Sequence, residues 1–202
     1  MRKLLLSIII ATLTAGASYA QTPLRAASDG PIEISGSRKG VRTSTDITLG
    51  IMAASTLTLA LVKQDWKGLA LGAGECAGVF AVTYGLKYLV KKKRPDGSDN
   101  HSFPSGHTSL AFTDASFIMR RYGWKFGVPA YALAGYVAWG RCYAKKHDFW
   151  DVAAGAAIGS AVGLLCTTPF AREHDLKIAP QVIPDPAGNS FISFGVGGSM
   201  TF

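Results

Sequence analysis

The stretch LALGAGECAGVFAVTYGLKYLV, residues 69–90, decides the fold. It is apolar or small almost throughout, with Glu75 and Lys87 as its only formal charges. Gly72, Ala73, Gly74, Ala77 and Gly78 would serve a water-exposed helix poorly, because glycine weakens an isolated helix. Between helices in a bilayer the same small residues let neighbouring backbones approach closely. The reading is an apolar helix packed against others inside a membrane.

Upstream, TDITLGIMAASTLTLALV (residues 45–62) is a second such run, with Thr45 or Asp46 as its N-cap and Lys63 as its stop. It is about long enough to cross a bilayer core. The polar elbow KQDWKG (63–68) joins the two. Downstream, apolar runs extend from about His107 to Arg121, through FGVPAYALAGYVAWGRCYA (126–144), and from about Asp148 to Pro169. None shows the broad polar face of a soluble helix. A chain of 202 residues is too small to hide five such helices from water by itself. The expectation is an all-α fold, a bundle of about five apolar transmembrane helices over residues 45–170. A compact soluble helical enzyme is the competing reading.

The opening MRKLLLSIIIATLTAGASYAQ has a basic start, an apolar centre and small residues at Ser18 and Ala20, the pattern of a signal peptide over residues 1–20. An uncleaved first membrane helix is its alternative, and in both cases the next segment lies outside the cytoplasm. Residues 21–44 read as an exposed segment rich in Gly, Ser, Pro and basic side chains. Residues 171–202 read as a short extended tail, with SFISFGVGGSMTF (190–202) alternating at strand period.

The chain carries 21 Lys and Arg against 13 Asp and Glu, a formal charge of +8. That excess suits nucleic acid, anionic lipid or a phosphorylated substrate. Positive mean hydropathy and sparse charge turn the choice away from nucleic acid and toward a membrane. Cys76, Cys142 and Cys166 are odd in number and lie in apolar or small-residue runs, so they read as core residues rather than disulfides or metal ligands.

Three clusters sit where helices meet loops: KYLVKKKRP (87–95), PSGH (104–107) and RCYAKKHDFWD (141–151). In an up-and-down bundle the first ends helix two, the second opens helix three, and the third joins helices four and five. Helix count alone therefore brings all three to one end. Lys87 and Arg94 are seven apart, so a helix continuing that far would aim both cations along one side, as a clamp for an anion. Lys91, Lys92 and Lys93 read as an anchor at the lipid surface. The signal places this basic end outside, the side positive charge disfavours, and recruitment of an acidic substrate would account for it.

The turn in PSGH leaves backbone N–H groups at a helix start free to cradle an anion with the Ser105 hydroxyl, beside His107 as a proton donor. A plain helix start capped by Ser105 is the other reading. His147 and Asp151, four apart, would share a helical face, the carboxylate orienting one ring nitrogen and leaving the other bare. Asp148 reads as the helix cap, and Arg141 as a fork for a phosphate oxygen. Trp66, Trp124, Trp139 and Trp150 lie near helix ends, as interfacial aromatics do.

Together, Lys87, Arg94 and Pro95, then Pro104, Ser105, Gly106 and His107, then Arg141, His147 and Asp151 resemble the signature of the type 2 phosphatidic acid phosphatase and vanadium haloperoxidase superfamily. The resemblance implies a metal-independent phosphatase without a cofactor. His147 would attack phosphorus to give a phosphohistidine, Asp151 would orient it, and His107 would protonate the leaving alcohol. Lys87, Arg94, Ser105, Gly106 and Arg141 would hold the phosphate oxygens. The implied substrate is a phosphorylated lipid or lipid pyrophosphate: phosphatidic acid, phosphatidylglycerol phosphate, polyprenyl pyrophosphate or a phosphate of lipid A. The implied location is the inner membrane, with the site facing the periplasm or cell exterior. A soluble exported acid phosphatase and a vanadate-dependent haloperoxidase are the alternatives within the resemblance. Gly140 stands where members usually carry serine, and the gap from Pro95 to Pro104 is short for the family.

Overall fold

The structure is a computed structural model describing residues 36–170, 177–184 and 190–197. The signal peptide (1–20) and most of the expected N-terminal segment lie outside the described residues. Five helices follow in order: α1 (Ser37–Val62), α2 (Trp66–Val90), α3 (Gly106–Tyr122), α4 (Trp124–Tyr143) and α5 (Phe149–Cys166). An antiparallel pair, β1 (Lys177–Pro184) and β2 (Ser190–Gly197), occupies part of the expected extended tail, with Lys177 opposite Gly197 and Pro184 opposite Ser190.

The helix boundaries have local causes. α1 starts at Ser37 rather than at Thr45, so its first two turns are the polar SRKGVRTS segment, entered through Gly36 at φ 60. Asp65 opens α2 by accepting from the Gly68 backbone N–H at 2.7 Å. Gly123, at φ 93, separates α3 from α4, a conformation that costs glycine little. Asp148 caps α5, as read from sequence, by accepting from the backbone N–H groups of Trp150 and Asp151.

α3 lies at the centre. Its Ala111 and Phe117 pack with Met52 of α1 and Ala134 and Val137 of α4 in the buried apolar core. Against α5 the contact is closer still. Gly155, Gly159 and Gly163 recur every four residues, so they form one stripe along α5. A Cβ on Gly155 would fall 2.7 Å from the Ser105 carbonyl oxygen, and one on Gly163 2.6 Å from the Ser116 Cβ. The backbones approach as only small residues permit. Gly159→Leu is therefore expected to force α3 and α5 apart and cost roughly 1–3 kcal/mol, read as a lower midpoint of unfolding in detergent. An unchanged midpoint would show that the stripe is not a packing determinant.

α1, α2 and α5 are each long and apolar enough to cross a membrane. α3, with 17 residues, is too short by that measure and α4 too polar. α3 instead buries Thr108, Ser109, Thr113 and Ser116 among its neighbours. The outer surface is apolar over long stretches, with Ile47, Ile51 and Leu57 of α1 and Phe80, Val82 and Leu89 of α2 all exposed. A water-soluble monomer rarely presents such a face, and a bilayer accounts for it. Cys76 and Cys166 also lie on the exposed surface and are free thiols, which corrects their reading as core residues. Of the four tryptophans, Trp66, Trp124 and Trp139 are more than half exposed.

Candidate active site

Arg42 of α1, the C-terminal half of α2, the loop 91–105, the start of α3, the end of α4 and the loop before α5 meet at one end of the bundle around a cavity of about 440 Å³. Lys87, Arg94, Gly106, His107, Arg141 and His147 all line it. Ser105 and Asp151 are completely buried behind the wall. The three sequence clusters thus converge on one space.

His147 lies beside Asp151, by a different local route from the one expected. It sits before the Asp148 cap and not on the face of α5, so the loop, and not helical periodicity, aims its ring. Nδ1 lies 3.5 Å from Asp151 Oδ2 and 3.5 Å from the Ser102 hydroxyl. Nε2 is the nitrogen left for chemistry. Asp151 is fixed from several sides: the Ser102 hydroxyl and Lys92 Nζ donate to it, the latter at 2.9 Å, and the Asp148 N–H donates at 3.1 Å. Burial pushes the His147 imidazole below its ordinary value, against the opposing pull of Asp151, so the ring is held neutral. A neutral ring is a nucleophile and a protonated one is not.

The cations divide their work. α2 ends at Val90, so Lys87 and Arg94 do not share a helical side as a continued helix would require. Lys87 Nζ donates to the carbonyl oxygens of His101 at 2.8 Å and Pro104 at 2.7 Å, tying the loop before α3 to α2. Arg94 approaches from the loop, with Nε donating to Asp99 Oδ1 at 2.8 Å. Arg141 is buried at the end of α4 and pairs with Asp46 of α1. Its Nε has no partner among the described residues. A buried guanidinium N–H left unpaired is costly, and an anion in the cavity would satisfy it.

Ser105 is the N-cap residue of α3, but its side chain caps nothing. Its hydroxyl accepts from Thr108 Oγ1 at 3.0 Å, while its backbone N–H donates to the Asp151 carbonyl at 2.9 Å. His107 is half exposed, and its Nε2 lies 3.1 Å from Asp46 Oδ1.

Three contributors escaped the sequence reading. Lys92 is no lipid-surface anchor: it is buried and paired with Asp148 and Asp151. Ser102 offered no signal beyond a polar loop position. Asp46, taken as a possible helix cap, lies inside α1 and reaches the site, because the helix begins earlier than its apolar run.

The sequence matches the PAP2 superfamily over residues 67–174, a span that includes all three clusters and leaves out α1. It is 31% identical over 155 residues to the lipid A 4'-phosphatase of Helicobacter pylori, covering 69% of this chain and 75% of that protein. It is 38% identical over 108 residues to the lipid A 1-phosphatase of Porphyromonas gingivalis, covering 52% of this chain but only 22% of that protein. In fold it resembles the transmembrane PAP2 type phosphatidylglycerolphosphate phosphatase from Bacillus subtilis, with a TM-score of 0.57 and 17% identity over 82% of this chain and 93% of that one. The chain belongs to the PAP2 superfamily.

Proposed function

We propose that this chain is a membrane phosphatase that hydrolyses a lipid phosphate monoester through a phosphohistidine on His147. The observation that carries the reading is the convergence of two imidazoles, three guanidinium groups (Arg42, Arg94 and Arg141) and a helix start on one cavity. Phosphoryl transfer requires chiefly positioning and stabilisation of charge on the equatorial oxygens.

In the first step His147 Nε2 forms a bond to phosphorus while the bond to the lipid oxygen breaks, its electron pair leaving with that oxygen. His107 gives the oxygen a proton. Asp151 keeps the His147 ring oriented and offsets the charge that develops on it. Arg94, Arg141 and the start of α3 hold the phosphate oxygens, a task that divalent ions perform in many other phosphatases. Lys87, in the cavity wall, holds the 101–104 backbone where the turn into α3 must lie, its Nζ donating to the His101 and Pro104 carbonyls. In the second step His107 takes a proton from water, the water oxygen attacks phosphorus, and inorganic phosphate leaves His147.

The cavity wall is mixed in character. Lys87, Thr83 and Val79 lie on α2 at steps of four residues, and Phe80 and Leu110 join them, so the cationic part of the wall adjoins an apolar part. A lipid phosphate matches that arrangement, headgroup at the cations and chain along the apolar side. The two lipid A phosphatases among the relatives favour a lipid A phosphate as the substrate. The signal-like start favours the inner membrane, with this end facing the periplasm.

Purified protein in detergent is expected to hydrolyse a lipid A phosphate with a kcat/KM at least tenfold above that for 4-nitrophenyl phosphate. Equal or greater efficiency on the small soluble ester would contradict the lipid assignment.

A further inference from the structure

Asp46 stands apart from everything the reading above uses. It comes from α1, which lies outside the span matched to the family, yet its Oδ1 is 3.1 Å from His107 Nε2 and also accepts from Arg141. The carboxylate is therefore shared between the residue assigned to the leaving group and one assigned to the phosphate. We propose that Asp46 is a positioning residue for the leaving-group step, forming with His107 a second carboxylate–imidazole pair that works opposite Asp151 and His147. The inference rests on the assignment of His107 as the proton donor.

The geometry gives the pair a definite task. At 3.1 Å, Asp46 is placed to accept from Nε2, which would hold that nitrogen protonated and leave Nδ1 to deliver a proton to the departing oxygen. His107 is half exposed and stands at the helix start, so the loop alone does not fix its ring. Among the described residues, the same cavity wall carries Arg42, Lys87, Arg94, Arg141 and Lys146 against one other carboxylate, Asp99, which is paired with Arg94. Burial, and then Arg141 and Arg94, disfavour the protonated ring that the step needs, and Asp46 is the neighbour that opposes them. Arg141 can serve both partners, because Asp46 engages its Nη2 while its Nε remains without a partner among the described residues.

Asp46 at the phosphate site could instead act only as a competitor for Arg141, and the two roles separate by leaving group. An alkyl oxygen departs badly without a proton, whereas 4-nitrophenolate leaves unassisted. The test compares kcat/KM of full-length protein in detergent on a long-chain lipid monophosphate and on 4-nitrophenyl phosphate, a ratio that covers steps up to transfer to His147. Asp46→Asn is expected to lower the value for the lipid roughly 10- to 100-fold while changing that for the aryl ester less than about threefold. Asp46→Glu is expected to restore part of the lipid activity, and His107→Ala to show the same split more strongly.

An equal fall on both substrates, or a change in KM alone, would overturn the proposal. A split in His107→Ala without one in Asp46→Asn would overturn it while leaving the assignment of His107 intact. No split in either variant would overturn both.

Discussion

Replacing His147 with alanine is expected to remove phosphate release from lipid phosphates, lowering kcat by roughly four orders of magnitude or more, as loss of a nucleophile does in other covalent hydrolases. His147 has its Nδ1 committed toward Asp151 and Ser102, and its ring is buried and held neutral. Among the described residues, no other imidazole lines the cavity except His107. That ring is shared with Asp46 and is assigned to the proton. His107 cannot take over without abandoning the proton step, so the variant loses the bond-forming atom and has no substitute. Measured turnover on a detergent-solubilised lipid monophosphate, with the variant shown to fold by its unfolding midpoint, checks this. Turnover within tenfold of the native enzyme would remove His147 from the role.

The second large effect is one of stability and lies at the opposite end of the bundle. Asp65, in the elbow between α1 and α2, accepts from Arg121 Nε at 2.7 Å and Nη2 at 2.5 Å. It also accepts from the Tyr122 hydroxyl at 3.0 Å and the Gly68 N–H at 2.7 Å. Both members of the ion pair are almost completely buried. Asp65→Ala would leave a buried guanidinium without its carboxylate, a change that typically costs about 3–5 kcal/mol. Denaturant unfolding in detergent reads that loss directly. A loss below about 1 kcal/mol would mean that water reaches Arg121 and replaces the carboxylate.

The same network carries a pH signature. Burial favours the neutral carboxyl of Asp65, but hydrogen bonds from Arg121, Gly68 and Tyr122 outweigh it, and the group is held below its ordinary value. A carboxylate depressed in the folded state contributes stability above its unfolded value of about 3.9, and that contribution disappears as pH falls through the folded value. The stability difference between native protein and Asp65→Ala is therefore expected to be largest near neutral pH and to shrink below about pH 4.

The fold was legible because a membrane simplifies it. Uninterrupted apolar runs broken by KQDWKG and by the three basic clusters mark helices and turns, and helix count alone fixes which turns share an end. The start of α1 was not legible in that way. SRKGVRTS carries no apolar periodicity, and it is helical because Ser37 and Ser44 reach Tyr143 and Tyr136 of α4 and Thr45 packs against Gly140. Those are tertiary contacts. The same interface gives Gly140 a reason to stand where relatives of the signature carry serine: a Cβ there would meet the Thr45 side chain of α1, and Val41 Cγ1 at 3.2 Å. The site followed the same division. Residues within the signature could be named from type and spacing. Lys92, Ser102 and Asp46 could not, since a lysine in a basic run, a serine in a loop and an aspartate near a helix start each have a common solvent-facing use.

The account depends on a phosphoryl group passing through His147. Rapid mixing of the enzyme with a lipid monophosphate carrying labelled phosphorus, an alkaline quench that preserves phosphoramidate, and mass spectrometry of the peptides would look for it directly. The expected result is label on His147 that appears within the first turnover, decays as inorganic phosphate accumulates, and persists longer when His107 is replaced by alanine. Turnover at the native rate with no label on the protein, or label on a residue other than His147, would contradict it.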